Sequence, residues 1–423
     1  MKFHIPRGTS DVLPGESEFW EYVEKVSKDT FKRYNYKQII TPIFEHTELF
    51  QRGVGETTDI VEKEMYTFMD RGDRSLTLRP EGTAAVVRSY VENKLYASPD
   101  PTKLYYIGPM FRYERPQAGR TRQFTQVGVE VLGSSDPTVD AEVLALAMRQ
   151  FEELGLHEKV RLEINSVGCS VCRPTHREKL VTHLHGVKDQ LCKDCQSRLE
   201  RNPMRILDCK NETCREVTKD APTMDQHLCE DCQTHHDKVK ASLDYMEIPF
   251  VENPRLVRGL DYYTQTAFEI MAENSGPGGT LCGGGRYNGL VAEIGGDDVP
   301  GIGYAFSIER ILALRDKELP LEANQGLDVY LVTLGDQAKL ASVKILEDLR
   351  RNGIKADMDY LGRKMKAQMK AADRTNADYV LIIGDEELEK GIGQLRNMKT
   401  GEQEEVSLTE IVSYLKEKVE FGG

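Results

Sequence analysis

Apolar and polar residues alternate most clearly from Lys103 to Gly133, KLYYIGPMFRYERPQAGRTRQFTQVGVEVLG. Two runs rich in aromatic and β-branched residues flank RPQAGRT, whose proline and glycine punctuate the chain, which predicts a long antiparallel hairpin with a mobile tip. Strand side chains alternate faces. Thr125, Val127, Val129 and Val131 therefore share one face, read as core, while Phe124, Gln126, Gly128 and Glu130 share the other. Gly128 leaves the surface open between Gln126 and Glu130, room for a small molecule with a hydrogen-bonding group at each end.

Elsewhere the spacing predicts further elements. Phe19, Tyr22, Val23, Val26, Thr30 and Tyr34 give an amphipathic helix over 17–35, followed by a strand, YKQIITPIFE. TLRPEG leads into a helix through Ala84, Val87, Val91 and Leu95, so Glu81 and Thr83 sit at a strand-to-helix turn where backbone N–H groups are free to meet a ligand. A glutamate there is ordinarily a helix-start charge. LDYYTQTAFEI reads as a strand, TLCGGGRYNGL as a glycine turn, and GIGYAFSIERIL as a glycine turn opening a helix that buries Phe306 and Leu312 and carries Arg310. After the loop Leu319–Gly326, strand and helix patterns alternate, which implies βαβ units with a largely parallel sheet in a separate domain, 327–423. Arg363, Lys366, Lys370 and Arg374 make a basic stripe on its second helix, ordinarily a solvated face.

Composition narrows the class. At 423 residues, with 39% hydrophobic and 30% charged residues, the chain is ordinary for a globular protein of two to three domains. No run approaches a membrane span and Met1–Pro14 has no apolar signal core, so a cytoplasmic protein without membrane association is expected. The formal net charge of −13 argues against non-specific coating of nucleic acid and leaves room for local basic surfaces. Arg112, Arg115, Arg120 and Arg122 crowd the hairpin turn, matching an anionic ligand or a solvated basic tip. Neither a Walker loop nor GxGxxG is present. Eight of the nine cysteines fall as Cys169/Cys172, Cys192/Cys195, Cys209/Cys214 and Cys229/Cys232. In a cytosolic chain such pairs read as structural Zn²⁺ ligands before disulfides, against the alternatives of buried small hydrophobes or former ligands. Spacing does not say how the pairs group.

FRYERPQAGRTRQFTQVGVEVLG resembles motif 2 of the class II aminoacyl-tRNA synthetases in the form carried by the histidyl-tRNA synthetase family. RGTSDVLP, TLRPEGTAAVVR, LVRGLDYYTQTAFE, GGGRYNGL and GIGYAFSIERI follow the family order, so the resemblance covers nearly the whole chain. It implies an α/β multidomain protein. Residues 1–322 would be a class II catalytic domain on an antiparallel sheet, interrupted by a helical Cys/His-rich insertion at 167–245, with an anticodon-binding domain at 327–423. The reaction implied is ATP-dependent activation of L-histidine and transfer to tRNA(His), with Mg²⁺ accompanying ATP. Arg112 and Arg258 would flank the α-phosphate. Glu114, Arg120, Phe124 and Arg310 would serve the rest of ATP, with Phe124 stacked on adenine opposite Arg310. Glu81 and Thr83 would receive the substrate amino group, Gln126 would lie near its carboxylate, and Glu130 with Tyr262 or Tyr263 would read the imidazole. Gln117 and Arg122 would touch tRNA, as would the basic stripe. The helix and strand with Pro42 resemble motif 1, implying a homodimer. Thr121, Thr125 and Asn288 depart from common family residues. The rival resemblance is to the synthetase-like regulatory subunit of ATP phosphoribosyltransferase, whose members typically lack the C-terminal domain.

Overall fold

The computed structural model describes residues 3–55, 58–117, 119–273, 279–314 and 326–420. The chain divides into two compact units, 1–319 and 320–423. Strands of the first are β1 Lys37–Gln38, β2 Phe44–His46, β3 Tyr66–Met69, β4 Ser75–Leu78, β5 Thr102–Phe111, β6 Gln123–Leu132, β7 Val160–Ser166, β8 Val251–Glu252, β9 Thr264–Ala272, β10 Thr280–Arg286 and β11 Gly301–Ser307. Eight form one sheet in the order β1-β5-β6-β11-β10-β9-β7-β8, antiparallel except at its edges, where β1 and β8 run parallel to their neighbours. β2, β4 and β3 form a small antiparallel sheet.

The period-two pattern settles which face is buried. Val127, Val129 and Val131 join Phe31, Leu144, Phe151, Val239 and Leu243 in the main core, beneath helices Ser17–Arg33, Pro137–Glu153 and Glu230–Tyr245. Fully burying each such large apolar side chain contributes about 1.5–3 kcal/mol. Gln126 and Glu130 face the other way, into a cleft. Helix Pro137–Glu153 begins with Pro137 in its first turn and the Asp136 carboxylate accepting from Thr138 N at 2.8 Å, a cap that fixes its start. Asp140 on this helix is wholly buried and accepts from Arg286 Nε (3.0 Å) and Thr266 Oγ1 (2.6 Å), with His235 Nε2 at 2.8 Å. Burial alone would raise the Asp140 pKa, but His235 and Arg286 more than offset it and hold the carboxyl below its usual value. The arginine of GGGRY thus clamps β9, β10 and two helices together.

Several expectations differ from the structure. YKQIITPIFE is two short strands, because the Thr41 and Pro42 carbonyls turn to accept from the buried Arg79 guanidinium (2.9 and 3.3 Å) rather than continuing a ladder. TLCGGGR is the central strand β10, and the turn falls at Asn288–Gly289. The glycines serve close packing, since side chains at Gly283 and Gly284 would collide with Arg258 and with the Gly303 carbonyl. GIGYAFS is strand β11, with Phe306 buried in the sheet, and the helix begins only at Ile308. On either side of the hairpin tip, Tyr113 N donates to Glu64 O (2.8 Å) and Arg122 N to Gly8 O (2.6 Å). The expected loop Leu319–Gly326 lies, Gly326 apart, outside the described residues.

Between β7 and β8 the chain forms helices Arg173–His185, Lys193–Arg201 and Glu212–Val217 around a small core of Leu180, Leu184, Leu199, Ile206 and Leu207, then helix Glu230–Tyr245, whose Val239 and Leu243 join the main core.

In the second unit, β12 Val329–Leu334, β13 Ala356–Met358 and β14 Tyr379–Gly384 are parallel, and β15 Ile392–Asn397 and β16 Gln403–Ser407 add antiparallel strands, in the order β13-β12-β14-β15-β16. Val329 and Leu331 pack with Leu346 and Leu349 on one face, Tyr330 and Val332 with Ala371 and Ala372 on the other. Arg363 precedes helix Met365–Arg374 and is tied to Asp359, so the stripe reduces to the exposed Lys366, Lys370 and Arg374. Among the described residues no helix is long and apolar enough to cross a membrane.

Candidate active site

β6, β10 and β11 form the floor of an open cleft of about 840 Å³ in the first unit. Glu81 and Thr83, Arg112, Glu114, Arg120 and Phe124, Gln126 and Glu130, and Arg258, Tyr262, Tyr263 and Arg310 all line it, drawn together from positions far apart in sequence.

One end is closed and polar. Glu130 is buried, and its carboxylate accepts from Thr83 Oγ1 at 2.7 Å and from Tyr287 Oη at 2.6 Å, while Tyr106 Oη approaches at 3.5 Å. Burial dominates these hydrogen bonds and pushes the carboxyl up to about 8. Glu81, also buried, accepts from Thr83 N (2.7 Å) and Ala84 N (2.9 Å) at the start of helix Thr83–Glu92, and burial raises its pKa. Gln126 Oε1 accepts from Gly82 N at 3.1 Å. The surface above Gly128, expected to be open, is filled by the Tyr106 ring, which any side chain at Gly128 would strike. Beside Tyr287, Tyr262 and Tyr263 pack together with ring centroids 4.6 Å apart, Tyr262 reaching the Tyr287 ring at 5.7 Å. Tyr287 is a lining residue that the sequence reading missed, and Tyr106 is a buried neighbour of Glu130. Tyr287 stood within the quoted GGGRY, but only the bend after β10 turns its ring back under β6.

The other end is cationic. Arg112 Nε donates to Pro80 O at 2.7 Å, its guanidinium lying 5.3 Å from the Phe124 ring centroid. Glu114 accepts from Arg120 at 3.4 Å. Arg310 donates to Thr280 O at 2.7 Å, and burial, aided by Arg120 and Arg112, lowers its pKa to about 10. Arg258 is ion-paired with Glu269, whose other oxygen takes the Thr280 hydroxyl at 3.0 Å. Burial opposes the charge on Arg258, but Glu269 and Tyr263 outweigh it and leave the guanidinium firmly protonated. Four guanidinium groups in one partly desolvated cleft make a site for a polyanion.

Gln117 and Arg122 lie at the hairpin tip, apart from the cleft lining, with Gln117 bridged to Arg120 and the Arg122 guanidinium 3.7 Å from the Tyr113 ring centroid. The cysteines gather in two groups within the helical segment.

The family model described as "Histidyl-tRNA synthetase" matches residues 8–311, and that described as "Anticodon binding domain" matches 328–418. The chain belongs to the histidyl-tRNA synthetase family. Relatives named histidine–tRNA ligase include one from a Geobacillus species, 58% identical over 423 residues and covering 99% of this chain and 100% of the relative. Another, from Geobacillus thermodenitrificans, is 58% identical over 422 residues, covering 99% of each. Among solved structures, the apo histidyl-tRNA synthetase of S. aureus superposes with a TM-score of 0.83 at 49% identity, covering 98% of this chain and 100% of that one. In this synthetase family the first unit is the class II catalytic domain, built on an antiparallel-rich sheet, and the second is the α/β anticodon-binding domain.

Proposed function

We propose that the protein is a histidine–tRNA ligase, an aminoacyl-tRNA ligase that activates L-histidine with ATP and passes it to the 3′ end of tRNA(His). The observation that carries this is the polarity of the cleft. A buried carboxylate ringed by hydroxyls lies at one end and four arginines at the other. Imidazole offers one donor and one acceptor, which the Glu130 carboxyl and the hydroxyl of Tyr262 or Tyr263 meet, and an analogue lacking either leaves a buried group unpaired. Glu81 and Thr83 receive the amino group, Gln126 lies near the carboxylate, and Tyr262 and Tyr263 wall the pocket.

Attack of the histidine carboxylate on the α-phosphate brings two anions together, so fixed positive charge must already be in place. Arg112 and Arg258 supply it from either side. Arg120 and Arg310 hold the outer phosphates and adenine face, Phe124 stacks on the base, and Glu114 orients Arg120. The α-phosphate–oxygen bond to pyrophosphate breaks as the bond to the carboxylate forms, and the terminal ribose hydroxyl of tRNA then displaces AMP. Mg²⁺ enters with ATP, held mainly by its phosphates.

The same reading assigns residues 1–322, interrupted by 167–245, to catalysis and 327–423 to anticodon binding. Gln117, Arg122 and the exposed Lys366, Lys370 and Arg374 meet tRNA, the cysteines hold structural zinc, and the protein works in the cytoplasm. A homodimer is supported by apolar groups exposed on and beside the β2-β4-β3 sheet: Ile40 at 83%, Met69 at 59%, and Phe44 and Phe68 in edge contact. Sedimentation showing only monomer at micromolar concentration would contradict it. The regulatory-subunit reading is disfavoured by the anticodon-binding unit and by the intact set of cleft arginines. ATP–pyrophosphate exchange with each amino acid tests the assignment. Exchange driven by histidine alone is expected, and exchange with no amino acid, or with a different one, would overturn it.

A further inference from the structure

The helical segment between β7 and β8 brings its four cysteine pairs together in a nested order. The first pair meets the fourth, as Cys169, Cys172, Cys229 and Cys232, and the second meets the third, as Cys192, Cys195, Cys209 and Cys214. Within each set all four Sγ atoms lie within 4.8 Å of one another. Cys169 to Cys172 and Cys169 to Cys229 are 3.7 Å, Cys172 to Cys232 is 3.9 Å and Cys192 to Cys209 is 4.0 Å. Zinc at about 2.3 Å from each of four sulfurs at tetrahedral corners requires sulfur separations of about 3.8 Å. A disulfide needs about 2.05 Å and unites two sulfurs, not four. Backbone amides already point at sulfur, with Cys169 N to Cys172 Sγ and Cys192 N to Cys214 Sγ both at 3.1 Å, the arrangement that offsets thiolate charge around a metal. The segment also needs a staple, since its core is so small that Cys195 and Cys214 are part of it.

The two sets hold segments that reach the loop carrying Tyr262 and Tyr263 by different routes. Cys172 immediately precedes helix Arg173–His185, and Arg173 donates to Val167 O at 2.9 Å and to the carbonyl of Tyr263, a cleft residue. Beside it, Gln265 N donates to Gly168 O at 2.8 Å. The second set holds the turns around Lys193–Arg201 and Pro203–Ile206, whose Arg198 and Arg205 reach Asp59 at 3.0 and 3.4 Å, while Asn202 donates to Asp261 at 2.7 Å and Arg205 to Gly259 O at 3.1 Å.

We propose that the chain carries two separate four-cysteine zinc centres, and that the outer one, Cys169/Cys172/Cys229/Cys232, positions the Tyr262–Tyr263 wall of the cleft through Arg173. The inner centre stiffens the far part of the segment. The positioning half rests on reading the cleft as the histidine site, whereas the metal half does not.

Metal analysis of the full chain purified without chelator tests the first half. Two zinc ions per chain are expected in the wild type, and one in each of the double variants Cys169→Ser/Cys229→Ser and Cys192→Ser/Cys209→Ser. Growth on cobalt should yield the absorption of tetrahedral cobalt thiolate. Fewer than two metals per wild-type chain, with the thiols freely titratable in the folded protein, would overturn it whatever the activity. For the second half, Arg173→Ala removes no ligand, should keep both zinc ions, and should raise KM for histidine about 10-fold in pyrophosphate exchange, the scale of a lost supporting contact. An unchanged KM in Arg173→Ala would refute the positioning role while leaving the metal count intact.

Discussion

Replacing Arg258 with alanine probes the cleft where structure and proposed chemistry meet. Its guanidinium is 16% exposed, ion-paired with Glu269, laid across the Gly283 backbone and 5.5 Å from the Tyr263 ring centroid, so it is fixed before any substrate arrives. If it stabilises charge as the carboxylate attacks the α-phosphate, its loss resembles deletion of one oxyanion donor. The rate constant kcat for adenylate formation should fall on the order of 10²- to 10³-fold, about 3–4 kcal/mol, with smaller changes in KM. The substitution also leaves Glu269 without its cation. Breaking a fully buried pair costs about 3–5 kcal/mol of stability. Here Glu269 keeps the Thr280 hydroxyl at 3.0 Å and the cleft admits water, so the cost should be about 1–3 kcal/mol. Lysine should rescue the rate only in part, because a point charge lacks the planar fork that spans two oxygens. Histidine-dependent pyrophosphate exchange, measured on variant protein shown by thermal melting to be folded, separates the two effects. A folded variant with near-wild-type kcat would mean that Arg258 serves only its bond to Glu269.

Glu130→Gln should change the pH dependence of stability. The Glu130 carboxyl holds its proton up to about pH 8 in the fold against an ordinary value of 4.5, so the native state loses stability as pH rises through that window and the amide does not. The variant's Tm should therefore gain on the wild type between about pH 5 and about pH 8, and parallel Tm–pH curves would contradict this. Tyr287→Phe removes one hydrogen bond to Glu130 and should raise KM for histidine several-fold, about 1 kcal/mol, with kcat nearly unchanged in exchange assays. Deleting residues 327–423 should impair tRNA charging far more than pyrophosphate exchange, because that unit has its own cores and contains none of the cleft residues. Equal loss in both steps would mean that the deletion damages the catalytic unit itself.

The parts of the fold legible in the sequence are those with a clear hydrophobic pattern. β6 declares its buried and open faces through Val127, Val129 and Val131 against Gln126 and Glu130, while β12 and β14 are short apolar runs buried on both faces. β10 was hidden because a strand of three glycines has no side chains to alternate, and what specifies it is the room needed by Arg258 and by the β11 backbone. The cleft residues were mostly foreseen because the family motifs place them. Tyr287 was not singled out, since its partner Glu130 lies 157 positions away and only the register of β6 with β11, and of β11 with β10, brings them together. The nested grouping of cysteines is hidden for the same reason. Pairs far apart in the chain meet only when the helices between them have folded.

The most direct test of the central claim is charging of a tRNA(His) transcript by the full chain with labelled histidine. Histidine should become attached to the terminal ribose in an ATP-dependent reaction that releases one AMP per histidine, while other amino acids and non-cognate transcripts stay uncharged. Absence of histidyl-tRNA from folded protein supplied with ATP and Mg²⁺ would contradict it.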